Sequence, residues 1–171
     1  MTVHSITIAL PDPWVVIDVA DLASERLTAL PEDVRAVRDL LEQTATQLAD
    51  RQVGLLALRI FRTQEGPAPT GMIALTLDQS DATDLEEVER RVRQELREVE
   101  VRMVGETEHV VGVSTDVEEH SFIRGDFRLV GEGLLLTVWS TITVMDGLET
   151  EHEVLDIIVG NLKLSGVDGD D

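Results

Sequence analysis

Apolar and polar residues alternate over residues 5–10 (SITIAL), which predicts a strand, and the near-continuous apolar run over 14–19 predicts a second strand or its continuation. Between them lies the corner of LPDPWVVIDV. Pro13 fixes φ and has no N–H to give a ladder, so it suits the start of a strand or a sheet edge. From residue 31 the period changes. Val34, Val37, Leu41, Thr44 and Leu48 recur three and four apart, widened by Leu40 and Ala45, and predict a helix over 31–50. Pro31 fits its first position, and Glu32 and Asp33 suit the positive N-terminal end. Residues 22–28 add a short helical turn.

Residues 53–61 (VGLLALRIF) are apolar on both alternate faces, as in a strand covered on both sides. RTQEGPAPTG then reads as a loop, and residues 72–77 as the returning strand of a hairpin. A second helix is predicted over 84–99. Thr83 and Glu86 form a capping box, and Leu85, Val88, Val92, Leu96 and Val99 make a narrow stripe. Three strands follow: 101–113 with a VGET turn inside it, 121–130, and 134–144. In the second, Ile123, Phe127 and Leu129 alternate with Arg124, Asp126 and Arg128. In the third, Leu134, Leu136, Val138, Ile142 and Val144 face one way, and Leu135, Thr137, Trp139, Thr141 and Thr143 the other. Gly131-Glu132-Gly133 joins these two strands tightly. A third helix is predicted over 151–162, with Thr150 and Glu153 as its capping box.

The order β-β-α-β-β-α-β-β-β-α with short strand connections predicts an α+β domain: a central antiparallel sheet flanked by helices in a layered sandwich. Residues 1–164 form one domain, and 165–171 (SGVDGDD) an acidic disordered tail.

Composition narrows the function. Acidic residues outnumber basic ones 34 to 14, for a net charge of -20. Such a surface repels nucleic acid and anionic lipid and attracts a basic protein. The bland reading of that charge is solubility. Cysteine is absent, which excludes disulfides, thiolate nucleophiles and thiolate metal sites. The N-terminus has no Lys or Arg before Arg26 and no apolar run long enough for a signal or a membrane span. The expected location is the cytoplasm.

Three features are similar to the PsbP/Mog-type fold, a group that includes LpqN-like proteins: the early PDPW before an apolar strand, the terminal strand pair joined by GEG, and the closing helix VLDIIVGNLKL. The resemblance implies a binding and assembly fold rather than a catalytic one. Unlike the lipoprotein members, this chain shows no lipobox cysteine.

Candidate chemistry is sparse. His109, His120 and His152 each follow a glutamate, a combination that suits zinc or manganese, and His152 and Asp156 share a helix face. No HExxH or HxH is present, and adjacent residues do not share a face. GxSxG, P-loop and dinucleotide motifs are missing. No cofactor is expected. Arg90, Arg91, Arg93 and Arg97 cluster on the second helix, balanced by Glu86, Glu87 and Glu89 at i to i+4 spacing. Trp139, among Thr137, Thr141 and Thr143, is either packed under a helix or exposed as an anchor. The sequence points to a non-enzymatic protein-binding or adaptor domain, such as an immunity protein or secretion chaperone for a basic partner. Its candidate contacts are Trp139, Thr137, Thr141, Arg90, Arg93 and Arg97. A homo-oligomeric subunit and a small metal-dependent enzyme using the Glu-His pairs are the alternatives.

Overall fold

The computed structural model describes residues 5–17, 53–63, 66–131 and 133–165. The helix predicted over 31–50, the turn over 22–28 and the tail beyond Ser165 lie outside them. In chain order the elements are β1 (Ser5–Thr7), β2 (Trp14–Ile17), β3 (Val53–Thr63), β4 (Gly66–Gln79), α1 (Leu85–Val92), β5 (Glu98–Val104), β6 (Thr107–Asp116), β7 (Ser121–Leu129), β8 (Leu134–Thr143), α2 (Leu148–Gly160) and β9 (Lys163–Ser165).

Strands β2-β3-β4-β8-β7-β6-β5 make one antiparallel sheet, and β1 pairs with β9 in a second of two strands. This corrects the expected fold class. The chain is β-rich rather than a balanced α+β sandwich, because strand takes over segments that composition assigned to loop and helix. The loop expected from Arg62 to Gly71 is strand from Gly66 onward. Pro69 pairs with Ile60 and Pro67 with Arg62, past the last β4–β8 pair at Gly71 and Ile142. Among the described residues no strand pairs with β4 on its β8 side there, the kind of edge position that tolerates proline.

The second predicted helix is also shorter. It ends at Val92, and β5 starts at Glu98. Val99 fits both the helical stripe and the alternation of EVEVRMV. It reaches the cluster of Val88, Val92 and Leu96 from the strand instead. The caps move too. Asp84, not Thr83, caps α1, its Oδ1 accepting from the Glu87 N–H at 2.9 Å. In α2 the start lies at Leu148, after Gly147.

Helix α2 covers one face of the sheet and α1 part of the other. On the α2 face, Leu155, Ile158 and Val159 pack on Ile73, Leu75, Val111, Phe122, Leu136, Val138 and Ile142. On the α1 face, Val88, Val92 and Leu96 pack on Val110 and Phe127. Two glycine contacts set these distances. A Cβ on Gly112 would stand 2.8 Å from Val92 Cγ1, so the end of α1 sits directly on the β6 backbone. A Cβ on Gly105, at φ 62, would meet the Gly160 backbone at 2.8 Å, so the β5–β6 turn touches the end of α2. β3 is covered on both faces as expected, with Leu56, Ala57 and Leu58 all fully buried.

Candidate functional site

The α2 face carries the charged groups of the sheet. Cross-strand pairing places Arg59, Arg124, Asp126 and Arg102 on it, and α2 contributes Glu151, His152 and Asp156. Arg124 and Asp126 are two apart on β7 and so share a face. The guanidinium grips Asp126 with two bonds, Nε to Oδ2 at 2.9 Å and Nη2 to Oδ1 at 2.7 Å. It also donates to Asp156 Oδ1 at 2.5 Å and to the His152 carbonyl at 3.2 Å. Arg102 reaches Asp156 from β5 at 3.1 Å. At the start of α2, Arg59 pairs with Glu151 at 2.5 Å and donates to the Thr70 and Thr143 carbonyls. α2 is thus held to the sheet at two ionic points as well as by its apolar side.

Burial pushes the Asp126 carboxyl upward, against the attraction of Arg124. The same desolvation lowers His152, reinforced by Arg124 and Arg102. Its ring lies 4.5 Å from Phe122, and Nδ1 is buried without a hydrogen bond among the described residues. His109 is buried on the same face, and desolvation pushes it down to about 4, helped by Arg128. Its Nδ1 lies 3.2 Å from the Thr107 carbonyl and 3.4 Å from the Thr107 hydroxyl.

A pH dependence follows. Unfolded, His109 binds a proton near pH 6.5; folded, only near 4. Across that window the unfolded state holds more protons, so acidification from about 6.5 destabilises the fold, and below 4 this contribution stops growing. The full linkage is at most about 3 kcal/mol. His109→Gln should flatten the stability profile between pH 6.5 and 4.5 in urea titrations. An unchanged slope would show that His109 is not the source.

The Glu-His pairs do not converge. Glu108 and His109 point to opposite sides of β6, His120 sits in the exposed β6–β7 turn, and His152 lies on α2. No group of three or more His, Asp or Glu among the described residues is placed to hold a metal. The arginine cluster divides. Arg91 pairs with Glu87 and Asp81, and Arg93 with Glu89. Arg90 makes a long contact to Glu87. Arg97 follows the helix and has no ion pair with the described residues. Thr137 is buried, Thr141 exposed, and Trp139 half-buried edge-on to Phe127, their ring centroids 5.3 Å apart. Trp139 stands opposite Gly125, whose missing side chain leaves room for both rings. These candidates therefore do not form one site: Arg90 and Arg93 share a groove along α1, Arg93 also reaches β5 with Arg97, and the threonines with Trp139 lie on β8.

Arg93 and Arg97 do enter a groove of about 730 Å³ between β5, β6 and the start of α2. Glu98, Glu100, Arg102, Val113, Leu148, Glu149 and His152 complete its walls. The groove reaches the end of the sheet where the β6–β7 turn meets the β8–α2 loop. The Val144 N–H donates to the His120 carbonyl at 2.8 Å and joins the two. Exposed there are Asp116, Glu118, Glu119, Asp146 and Glu149. Among them stand three uncovered apolar side chains: Val117 at 79% exposure, Met145 at 51% and Leu148 at 41%. The turn itself is rigidly made, with Asp116 Oδ1 accepting from the N–H groups of Glu118 and Glu119. Sequence reading passed over this end because its residues are scattered across two connections, neither of which forms a motif.

No family model matches the chain, and no curated protein does. Among solved structures, a protein from Bacteroides thetaiotaomicron VPI-5482 is similar, with a TM-score of 0.50 at 10% identity. The likeness covers 95% of this chain and 46% of that one, so this chain spans about half of that protein's length. At this identity the likeness is one of fold alone. No helix among the described residues is long and apolar enough to cross a membrane.

Proposed function

We propose that this chain is a non-enzymatic cytoplasmic protein-binding domain whose acidic sheet end and adjoining groove receive a basic partner. The observation that carries this reading is the pairing of its arginines. Arg59, Arg91, Arg93, Arg102 and Arg124 are all engaged by carboxylates of the chain itself. The acidic excess is left facing water, and at one end it surrounds Val117, Met145 and Leu148. Apolar side chains ringed by one sign of charge suit a partner with complementary basic and apolar residues. An immunity protein or a secretion chaperone is a concrete form of such a domain.

Calorimetric titration with two probes tests the reading: a peptide alternating lysine and leucine, and polylysine. The triple substitution Val117→Ser, Met145→Ser, Leu148→Ser should weaken the lysine-leucine peptide about tenfold and leave polylysine unchanged, since apolar anchors dominate such contacts. Glu118→Gln with Glu119→Gln and Asp146→Asn should weaken both probes. Equal binding of the lysine-leucine peptide by all three proteins would sink the proposal.

A further inference from the structure

Among the described residues, the first strand of the groove wall, β5, is also an edge of the seven-stranded sheet. Its seven residues pair with β6 in unbroken register, without a bulge, proline or lysine to blunt the edge. The turn that follows is a two-residue connection between paired Val104 and Thr107, with Gly105 at φ 62 in the first central position. That is the geometry of a type II′ hairpin, in which the flanking pair exchanges hydrogen bonds. The alternation then aims the backbone of Glu98, Glu100, Arg102 and Val104 at β6. The N–H and C=O groups of Val99, Val101 and Met103 point outward, away from β6. Val101 and Met103 are also uncovered, at 37% and 60% exposure.

We infer that this edge pairs with the same edge of a second copy of the chain, antiparallel and centred on Val101. The sequence EVEVRMV is complementary to itself in that one register. Val101 meets Val101 of the copy, and Val99 meets Met103, all on the α1 face and all with outward backbone groups that exchange hydrogen bonds. On the other face Glu100 stands opposite Arg102, twice by symmetry. These are non-hydrogen-bonded positions, where facing side chains come closest. The Arg102 side chain is partly exposed beside Glu100, whose Oε1 lies 3.2 Å from its Nε, so a second carboxylate can approach it from solvent. The charges that prevent indiscriminate edge pairing are thus the ones that fit a copy. Shifting the register by two sets Glu100 against Glu100 or Arg102 against Arg102. One strand pair is a small interface, so the dimer is reversible and depends on concentration.

The inference goes beyond capture of a basic partner, and salt separates the two. Each copy carries -20, so screening favours the dimer, whereas it weakens a basic partner. Sedimentation velocity of the full chain reads it directly. Wild type should shift from monomer towards dimer as its concentration rises. The shift should grow from about 0.01 M to about 0.15 M salt, as the screening length falls from about 30 Å to about 8 Å. Glu100→Lys and Val101→Lys alter exposed side chains and should stay monomeric with an unchanged circular dichroism spectrum. Mixing Glu100→Lys with Arg102→Glu should restore a heterodimer, because both facing pairs become attractive again. A wild-type chain that is monomeric at every concentration and salt overturns the inference. So does a dimer that survives both lysine substitutions. Neither result touches binding at Val117, Met145 and Leu148.

Discussion

Arg124→Leu is expected to cost about 3–5 kcal/mol of stability. The residue is fully buried, and its guanidinium uses both forks on Asp126 while reaching Asp156 and the His152 carbonyl. Removing it leaves Asp126 as a desolvated carboxylate with no hydrogen-bonded cation, only the more distant charge of Arg102. The carboxyl, which burial already pushes upward, must then take a proton or draw in water. The two partners do not carry equal weight. Asp156 is partly exposed and keeps Arg102 at 3.1 Å, so it is not stranded. The double substitution Arg124→Leu, Asp126→Leu should therefore recover most of the loss, because no unpaired buried charge is left on β7. Urea unfolding of the wild type and the two variants decides it. A single-variant loss under about 1 kcal/mol, or a double variant no better than the single, would show that the pair is not what stabilises this layer.

Why this network escaped a reading of the sequence is physically clear. On β7 the alternation of Ile123, Phe127 and Leu129 with Arg124, Asp126 and Arg128 looks like one apolar and one solvated face. In the structure the charged residues face α2, where Phe122 and Asp126 are buried beside Arg124. Alternation reports only that the two faces differ. It does not report that a distant helix brings carboxylates to one of them. Phe122, sharing the charged face, was the available signal. On β8 both faces are occupied by the residues that the alternation separates, since no charge intervenes there. The helix ends were misread for a related reason. Val99 satisfies periods of two and of three to four at once, and only the pairing of β5 with β6 decides between them. The acidic sheet end is assembled by one hydrogen bond between connections more than twenty residues apart, a proximity that spacing does not encode.

The corner that opens the domain can be tested in the same way. Trp14→Ala should cost about 3–5 kcal/mol. Pro11 and Pro13 turn the chain there, and the Trp14 N–H closes the turn on the Pro11 carbonyl at 3.0 Å. The indole is buried, lies over Gly71 and stacks against Arg59, whose guanidinium carbon is 5.7 Å from the ring. A Cβ on Gly71 would stand 3.0 Å from the ring's Cη2, so the site is filled to contact. Truncation removes that volume and also opens the Arg59–Glu151 pair to water at the point where α2 begins. The loss should thus exceed the transfer energy of the ring alone. For a chain of this size it corresponds to a fall in Tm of about 6–20 °C. Trp14→Phe keeps an aromatic face for Arg59 and should lose about half as much. Thermal unfolding followed by circular dichroism compares the three proteins. A near-wild-type Tm for Trp14→Ala with weakened binding of the lysine-leucine peptide would make this corner part of the binding surface. A large fall in Tm with the graded response of phenylalanine makes it a packing anchor that holds β2, β3 and α2 together.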